Sequence, residues 1–190
     1  MRVTPTELPE VLLIEPARHG DARGWFSETW NAAKMREAGI AVEFVQDNHS
    51  FSAARGTLRG LHYQAPPHAQ DKLVRCTAGA ILDVAVDFRR GSPNFGKWVA
   101  RELTAANGAQ LLVPRGFLHG FLTLTENCEV QYKCSDFYAP ECDGAVAWDD
   151  PDIGIDWGEL PAGGPHLSAK DAAAPRIAEV ESPFDMETLP

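Results

Sequence analysis

Gly56-Thr57-Leu58-Arg59-Gly60-Leu61-His62-Tyr63-Gln64 and Val113-Pro114-Arg115-Gly116-Phe117-Leu118-His119-Gly120-Phe121 are two short, largely apolar runs, each carrying one histidine. Side chains alternate along a strand. A regular strand over the first run therefore sets Leu58, Gly60, His62 and Gln64 on one face. Thr57, Arg59, Leu61 and Tyr63 take the other. Arg59 and His62 share a site only if Gly60 marks a bulge or bend. Outward from these runs the same short period recurs. It predicts strands over Val42–His49, Thr57–Tyr63, Leu73–Thr77, Ala80–Phe88, Lys97–Leu103, Gln110–Val113, Gly120–Leu124, Glu129–Phe137 and Gly144–Trp148. Turn signals separate them, among them Arg55-Gly56, Pro66-Pro67, Gly91-Ser92-Pro93-Asn94 and Asn107-Gly108. Many short strands at regular spacing predict an all-β chain, a sandwich or jelly-roll barrel. Two short helices are expected beside it. Thr29–Ala38 has good helix formers with Gly39 as its C-terminal stop, and Ser168–Ala174 has Ser168 as a cap. The segment after Pro175 is expected to wrap over the surface without regular structure.

The chain has 190 residues, a size that predicts one domain with a proper core. Its formal net charge of -10 and its scattered Arg and Lys residues argue against nucleic acid and anionic membranes as partners. The four cysteines, Cys76, Cys128, Cys134 and Cys142, form no CxxC pair and no zinc-ligand spacing, so they read as free thiols. The opening MRVTPTELPEVLLIEP lacks a charged-then-apolar leader pattern, and no apolar run reaches membrane-spanning length. A cytoplasmic protein is expected.

The two histidine runs together resemble the cupin barrel. Its second motif is a Gly, five residues, then Pro-x-Gly-x-x-His, and Gly108, Pro114, Gly116 and His119 fit. Its first motif is His-x-His with a glutamate further on. Here the corresponding residues are His62-Tyr63-Gln64, and no glutamate follows. His62 and His119 leave a metal without an obvious third ligand, so no metal is expected. From spacing alone, His62 is equally readable as a satisfied core histidine. Lys72 is equally readable as a solvated strand opener, Tyr132 and Tyr138 as core tyrosines, and Asp171 as a helix cap or as the partner of a histidine.

The runs DARGWFSE (21–28), QDNHS (46–50), TLRGLHYQ (57–64), DKLVRC (71–76), DVAVDFRRGSPNFGKW (83–98), VPRGFLHGF (113–121), YKCSDFYAPE (132–141) and LSAKD (167–171) occur in order. Together, over residues 10 to 172, they resemble the dTDP-4-dehydrorhamnose 3,5-epimerase family. That resemblance implies a cupin-type jelly roll, a homodimer, no cofactor, and a dTDP-linked 4-keto-6-deoxy sugar inverted at C3 and C5. It implies His62 as general base, Asp171 as its charged partner, Tyr132 as proton donor on the opposite face, and Lys72 near the 4-keto oxygen. His119, Arg59 and Lys170 match sugar- or phosphate-facing positions. Arg23, Phe26, Glu28, Gln46, Asp47 and Asn48 fall to nucleotide or substrate binding, with Tyr138 and Asp143 added at the substrate. Asp143 stands where the family often has a glutamate. The resemblance also makes residues 1–50 a source of nucleotide and dimer contacts, and 172–190 a surface tail.

These residue types suit that reaction. A C–H bond beside a ketone is acidic because its carbanion is shared with oxygen. Histidine is a base near neutrality, and a carboxylate on its other nitrogen fixes the tautomer. A lysine stabilises the enolate oxygen. Inversion needs a proton returned from the other face, which is the place for Tyr132. Guanidinium forks at Arg23 and Arg59 match diphosphate oxygens. Three rivals stay open: a 3-only or 5-only epimerase or ketoisomerase on the same scaffold, a metal-dependent cupin enzyme, and a non-catalytic sugar-nucleotide binder.

Overall fold

Along the strand Ala80–Asp87, Ile81 and Ala85 face one apolar cluster while Leu82, Val84 and Val86 face another. A strand buried on both faces needs a partner sheet on one side and a cover on the other. The architecture supplies both. The computed structural model describes residues 1–188. Its strands are β1 (Arg2–Pro5), β2 (Leu12–Glu15), β3 (Arg18–Asp21), β4 (Gly24–Ser27), β5 (Gln46–Ser52), β6 (Leu58–Gln64), β7 (Lys72–Ala78), β8 (Ala80–Asp87), β9 (Trp98–Thr104), β10 (Gln110–Val113), β11 (Phe117–Thr123), β12 (Cys128–Cys134) and β13 (Asp143–Ala145). Two short helices, α1 (Ala32–Glu37) and α2 (Ala169–Ala172), accompany them.

One antiparallel sheet has the order β1-β2-β10-β7-β12-β5, and the facing sheet has β13-β6-β11-β8-β9. This is the jelly-roll arrangement of a cupin-type barrel. Between the sheets, Val74, Cys76 and Val130 meet Ile81, Ala85, Leu103, Phe117 and Phe121. Behind the five-stranded sheet, Leu58, Leu61, Val84, Leu118 and Leu122 pack against Val146, Ile153, Trp157, Ile177 and Phe184. On the outer face of the six-stranded sheet, Ile14, Leu73 and Leu112 receive Met35 of α1 and Ile40.

β6 carries the irregularity its glycine suggested. His62 pairs with His119 and Arg59 with Phe121, so three steps on β6 oppose two on β11. That one-residue excess is a bulge. It turns Leu58 and Leu61 to the same rear cluster although they stand three apart. Gly60 makes it feasible: its φ is +135, and a Cβ there would come within 2.6 Å of the Gly120 Cα.

Several sequence boundaries move for physical reasons. β5 begins at Gln46 instead of Val42, because Val42 and Phe44 join the apolar cluster around α1. The first helix is Ala32–Glu37, since the Asn31 side chain caps it by accepting from the Ala33 and Lys34 amides. The second is capped by Ser168 as expected. The four N-terminal strands were not anticipated. Each has four residues, too few for a period to stand out. The cysteines are free, with Cys76, Cys128 and Cys134 buried. Among the described residues, no helix is long and apolar enough to cross a membrane.

The 172–190 segment lies mostly on the surface over its described residues, but it is anchored; Leu189 and Pro190 lie outside them. Ile177 and Phe184 are buried, and Phe184 is 1% exposed. Its ring lies 5.9 Å from that of Tyr63 and 6.4 Å from that of Phe88. Ile177 and Phe184 anchor the tail in the rear core. Phe184→Ala is expected to lower unfolding free energy by about 3–5 kcal/mol. Chemical denaturation measures this; a loss below about 1 kcal/mol would contradict a core role for the tail.

Candidate active site

Strand alternation decides what enters the barrel. On β6 the bulge turns Arg59, His62 and Gln64 inward. On β12 and β5, Tyr132 and Asn48 are directly paired and share the inner face. Lys72 opens β7 on the same wall, opposite Cys134. A cavity of about 230 Å³ forms among them, lined by Gln46, Asn48, His62, Tyr63, Gln64, Gln70, Lys72, Tyr132, Tyr138, Asp143 and Lys170. His62 and Tyr132 reach it from opposite sheets.

The Nε2 of His62 lies 2.5 Å from Oδ1 of Asp171. Asp171 is buried in α2, where Ser168 Oγ accepts its amide at 3.1 Å. Burial acts to raise the carboxyl pKa. The bond from His62, the cap at Ser168 and the nearby Lys170 act against it, and the net shift is downward. Asp171 is therefore an anion at neutral pH. The imidazole nitrogen bonded to it carries the proton, which leaves the other ring nitrogen as a base. Asp171→Asn keeps the shape and removes the charge. It is expected to lower turnover on the order of 10²-fold with the fold retained. Steady-state kinetics alongside a thermal melt checks this; wild-type turnover would contradict the pairing.

Burial pushes the Tyr132 phenol above its ordinary value, with Arg59 and Asn48 acting against the shift. The group is thus a neutral proton donor at physiological pH. Burial lowers the Lys72 pKa, while Cys134, Asp143 and Asp83 act to raise it. At the mouth, the Asp143 carboxylate accepts from Lys170 Nζ, and Tyr138 OH donates to it at 3.4 Å. Arg59 donates to Ser52 Oγ at 3.3 Å and the Phe51 carbonyl at 3.1 Å, bridging β6 to β5. His119 is buried beside His62, with its Nε2 2.9 Å from Asp83 Oδ1. Among the described residues, no three His, Cys, Asp or Glu side chains converge as a metal-ligand set.

A family profile described as dTDP-4-dehydrorhamnose 3,5-epimerase matches residues 5–179. The chain belongs to this family. It is 50% identical over 180 residues to the dTDP-4-dehydrorhamnose 3,5-epimerase of Salmonella typhimurium, covering 93% of this chain and 96% of the relative. It is also similar to the dTDP-6-deoxy-D-glucose-3,5-epimerase of Legionella pneumophila, solved in complex with dTDP-4-keto-L-rhamnose. There the identity is 44% and the TM-score 0.88, with 100% of this chain and 97% of that one covered. A 3'-monoepimerase from Streptomyces bikiniensis, in complex with dTDP-quinovose, matches at 36% identity and TM-score 0.84, covering 92% and 87% of the two chains.

This epimerase-family chain gathers His62, Lys72, Tyr132, Gln46, Asn48, Tyr138, Asp143 and Lys170 around one cavity, with Asp171 behind His62. It does not bring Asp47 there. Alternation turns Asp47 to the outer face of β5, where its carboxylate accepts from Lys133 at 2.8 Å. It lines a neighbouring groove of about 280 Å³ with Arg75, Gln131 and Lys133, to which Asn48 and Tyr132 also contribute. Arg23, Phe26 and Glu28 also do not line the cavity. Arg23 pairs with Asp21 at the exposed tip of the β3–β4 hairpin, and Glu28 pairs with Lys34. Gln64, Gln70 and Tyr63 line the cavity without having been singled out. Gln64 had a signal, since it stands where a metal cupin has its second histidine. Asp83 had one too: a lone carboxylate inside the apolar run Ile81-Leu82-Asp83-Val84-Ala85-Val86.

Proposed function

We propose that the chain epimerises C3 and C5 of dTDP-4-dehydro-6-deoxy-D-glucose to give dTDP-4-dehydro-L-rhamnose, the isomerase activity of its family, in dTDP-rhamnose biosynthesis. The observation that carries this reading is the approach of His62 and Tyr132 to one cavity from opposing sheets. His62 removes the proton on the carbon beside the ketone. The C–H electron pair moves into the enolate, and Lys72 stabilises the oxygen where negative charge develops. Tyr132 then donates its proton to the opposite face, and the carbon is inverted. Each proton removed is replaced by one delivered, so the step needs no redox partner or cofactor. Asp171 holds the protonated imidazole that forms.

Tyr138, Asp143 and Lys170 orient the sugar, with His119 standing behind it beside His62; Gln46 and Asn48 serve the nucleotide, and Arg59 meets the diphosphate. Arg23, Phe26 and Glu28 complete the nucleotide end from a second copy of the chain. In support, Trp25 and Phe26 on the hairpin are 60% and 70% exposed, an apolar pair that a twin would cover. β5 also leaves an open sheet edge. On this reading residues 1–190 form one catalytic domain that works as a cytoplasmic homodimer, with residues 1–50 supplying nucleotide and dimer contacts. Incubation with dTDP-4-dehydro-6-deoxy-D-glucose and a reductase that accepts only the inverted product tests the activity. Reductase turnover that depends on this protein is expected, and its absence would overturn the reading. A 3-only epimerase is the second reading, favoured by the likeness to the Streptomyces bikiniensis 3'-monoepimerase.

A further inference from the structure

We propose that Asp83 is a positioning residue for the reaction, buried behind the cavity and acting on the substrate through His119 and Lys72. The inference rests on the role proposed for Lys72. Asp83 sits in the middle of β8, and the alternation that sends Leu82, Val84 and Val86 to the rear core turns it into the barrel. Its exposure is 0%. Oδ1 receives His119 Nε2 at 2.9 Å. Oδ2 is buried and has no hydrogen-bond partner among the described residues. A carboxylate oxygen left without a donor inside a protein is costly. Apolar packing at this position would remove that cost, so the carboxylate points to a task other than stability.

The charge has two recipients. His119 is the strand partner of His62, so the two rings stand side by side on the inner face, and each has one nitrogen held by a carboxylate. Asp171 holds the ring that lines the cavity, and Asp83 holds the one packed beneath it. The second recipient is Lys72. The titratable groups facing it are Asp83 from β8, the Cys134 thiol from β12, Asp143 from β13 and Lys170 from α2, with Tyr132 on its own sheet and His62 lining the cavity from the facing sheet. Lys170 opposes the ammonium and is itself paired with Asp143. Burial pushes the Asp83 carboxyl up while His119 and Lys72 act to hold it ionised, so Asp83 is a buried counter-charge that the two share. It keeps the ammonium charged in a site whose burial favours the neutral amine. A charged Lys72 is the form that stabilises an enolate best.

The test is the pH dependence of the coupled reaction in Asp83→Asn and Asp83→Glu, with wild-type turnover measured first. Absence of wild-type turnover would remove the proposed function itself; the following outcomes bear on Asp83 alone. Asp83→Asn keeps the acceptor for His119 and loses the charge. Turnover is expected to fall about 10- to 100-fold, with KM changed by less than about threefold. Loss of the counter-charge lowers the Lys72 pKa further, so the alkaline limb of the kcat profile should move down by about one pH unit or more. Asp83→Glu should return that limb toward its wild-type position. A merely structural residue would not move the limb. An unshifted limb in Asp83→Asn, or the same displacement in both variants, would overturn the proposal. If Asp83→Asn does not fold, nitrogen NMR of Lys72 Nζ in the unaltered protein decides: an ammonium at pH 7.5 supports the proposal, and a neutral amine overturns it.

Discussion

Replacing His62 with Asn is expected to lower turnover on the order of 10³- to 10⁴-fold while leaving the barrel folded. The side chain is half-buried and lines a cavity, so its loss opens little of the core. Its ring is the only base on that wall backed by a buried carboxylate among the cavity-lining groups described above. Asn keeps a hydrogen-bonding group near Asp171 but cannot take up a proton at neutral pH. Both product formation and exchange of substrate hydrogen for solvent deuterium should therefore fall together, with substrate affinity little changed. Coupled kinetics and mass spectrometry in deuterated water measure the two. Exchange at the wild-type rate would remove His62 from the proton-abstracting role.

Tyr132→Phe should separate what His62→Asn loses together. The phenol stands on the opposite sheet, and its burial keeps it protonated. Removing the hydroxyl leaves His62 able to take a proton from one face and return a solvent-derived one to the same face. Turnover to inverted product is expected to fall by about 10²- to 10⁴-fold, the range of a lost general acid. Deuterium uptake into unreacted substrate should decline much less. Equal loss of both would contradict the assignment of Tyr132 to the second face. Tyr132 is packed against the barrel interior, so a melt on the variant guards against a folding defect.

Much of this site was legible because it lies on strands whose alternation is regular. Leu58-Arg59-Gly60-Leu61-His62 already required a bulge if Arg59 and His62 were to share a face. The bulge lies there, fixed by the contact between Gly60 and Gly120. Ser168 was readable as a cap, and the turn it starts carries Asp171 to His62, 109 positions earlier in the chain. Pairing across that distance has no local signature, so the partner of His62 came from the family resemblance and not from spacing.

What escaped the sequence did so for identifiable reasons. The β3–β4 hairpin is exposed and its two aromatic residues, Trp25 and Phe26, are adjacent, so no alternating hydrophobic period marks it. Ile177 and Phe184 look like isolated apolar residues in a Pro- and acid-bearing tail. Only the folded sheet offers the pocket of Tyr63 and Phe88 that buries Phe184. Asp47 shared a run with Gln46 and Asn48, yet the period of two sends it to the other side of β5. Asp83 needed the third dimension: its neighbours in sequence are core residues, whereas its partner in space is His119.

The central claim is that protons leave one face of the sugar toward His62 and return to the other from Tyr132. The most direct measurement is product NMR after reaction of dTDP-4-dehydro-6-deoxy-D-glucose with the wild-type protein in deuterated water. The account predicts one deuterium at C3 and one at C5, each on a carbon of inverted configuration. Inverted product that keeps its original hydrogens, or deuterium at those carbons with configuration retained, would contradict it.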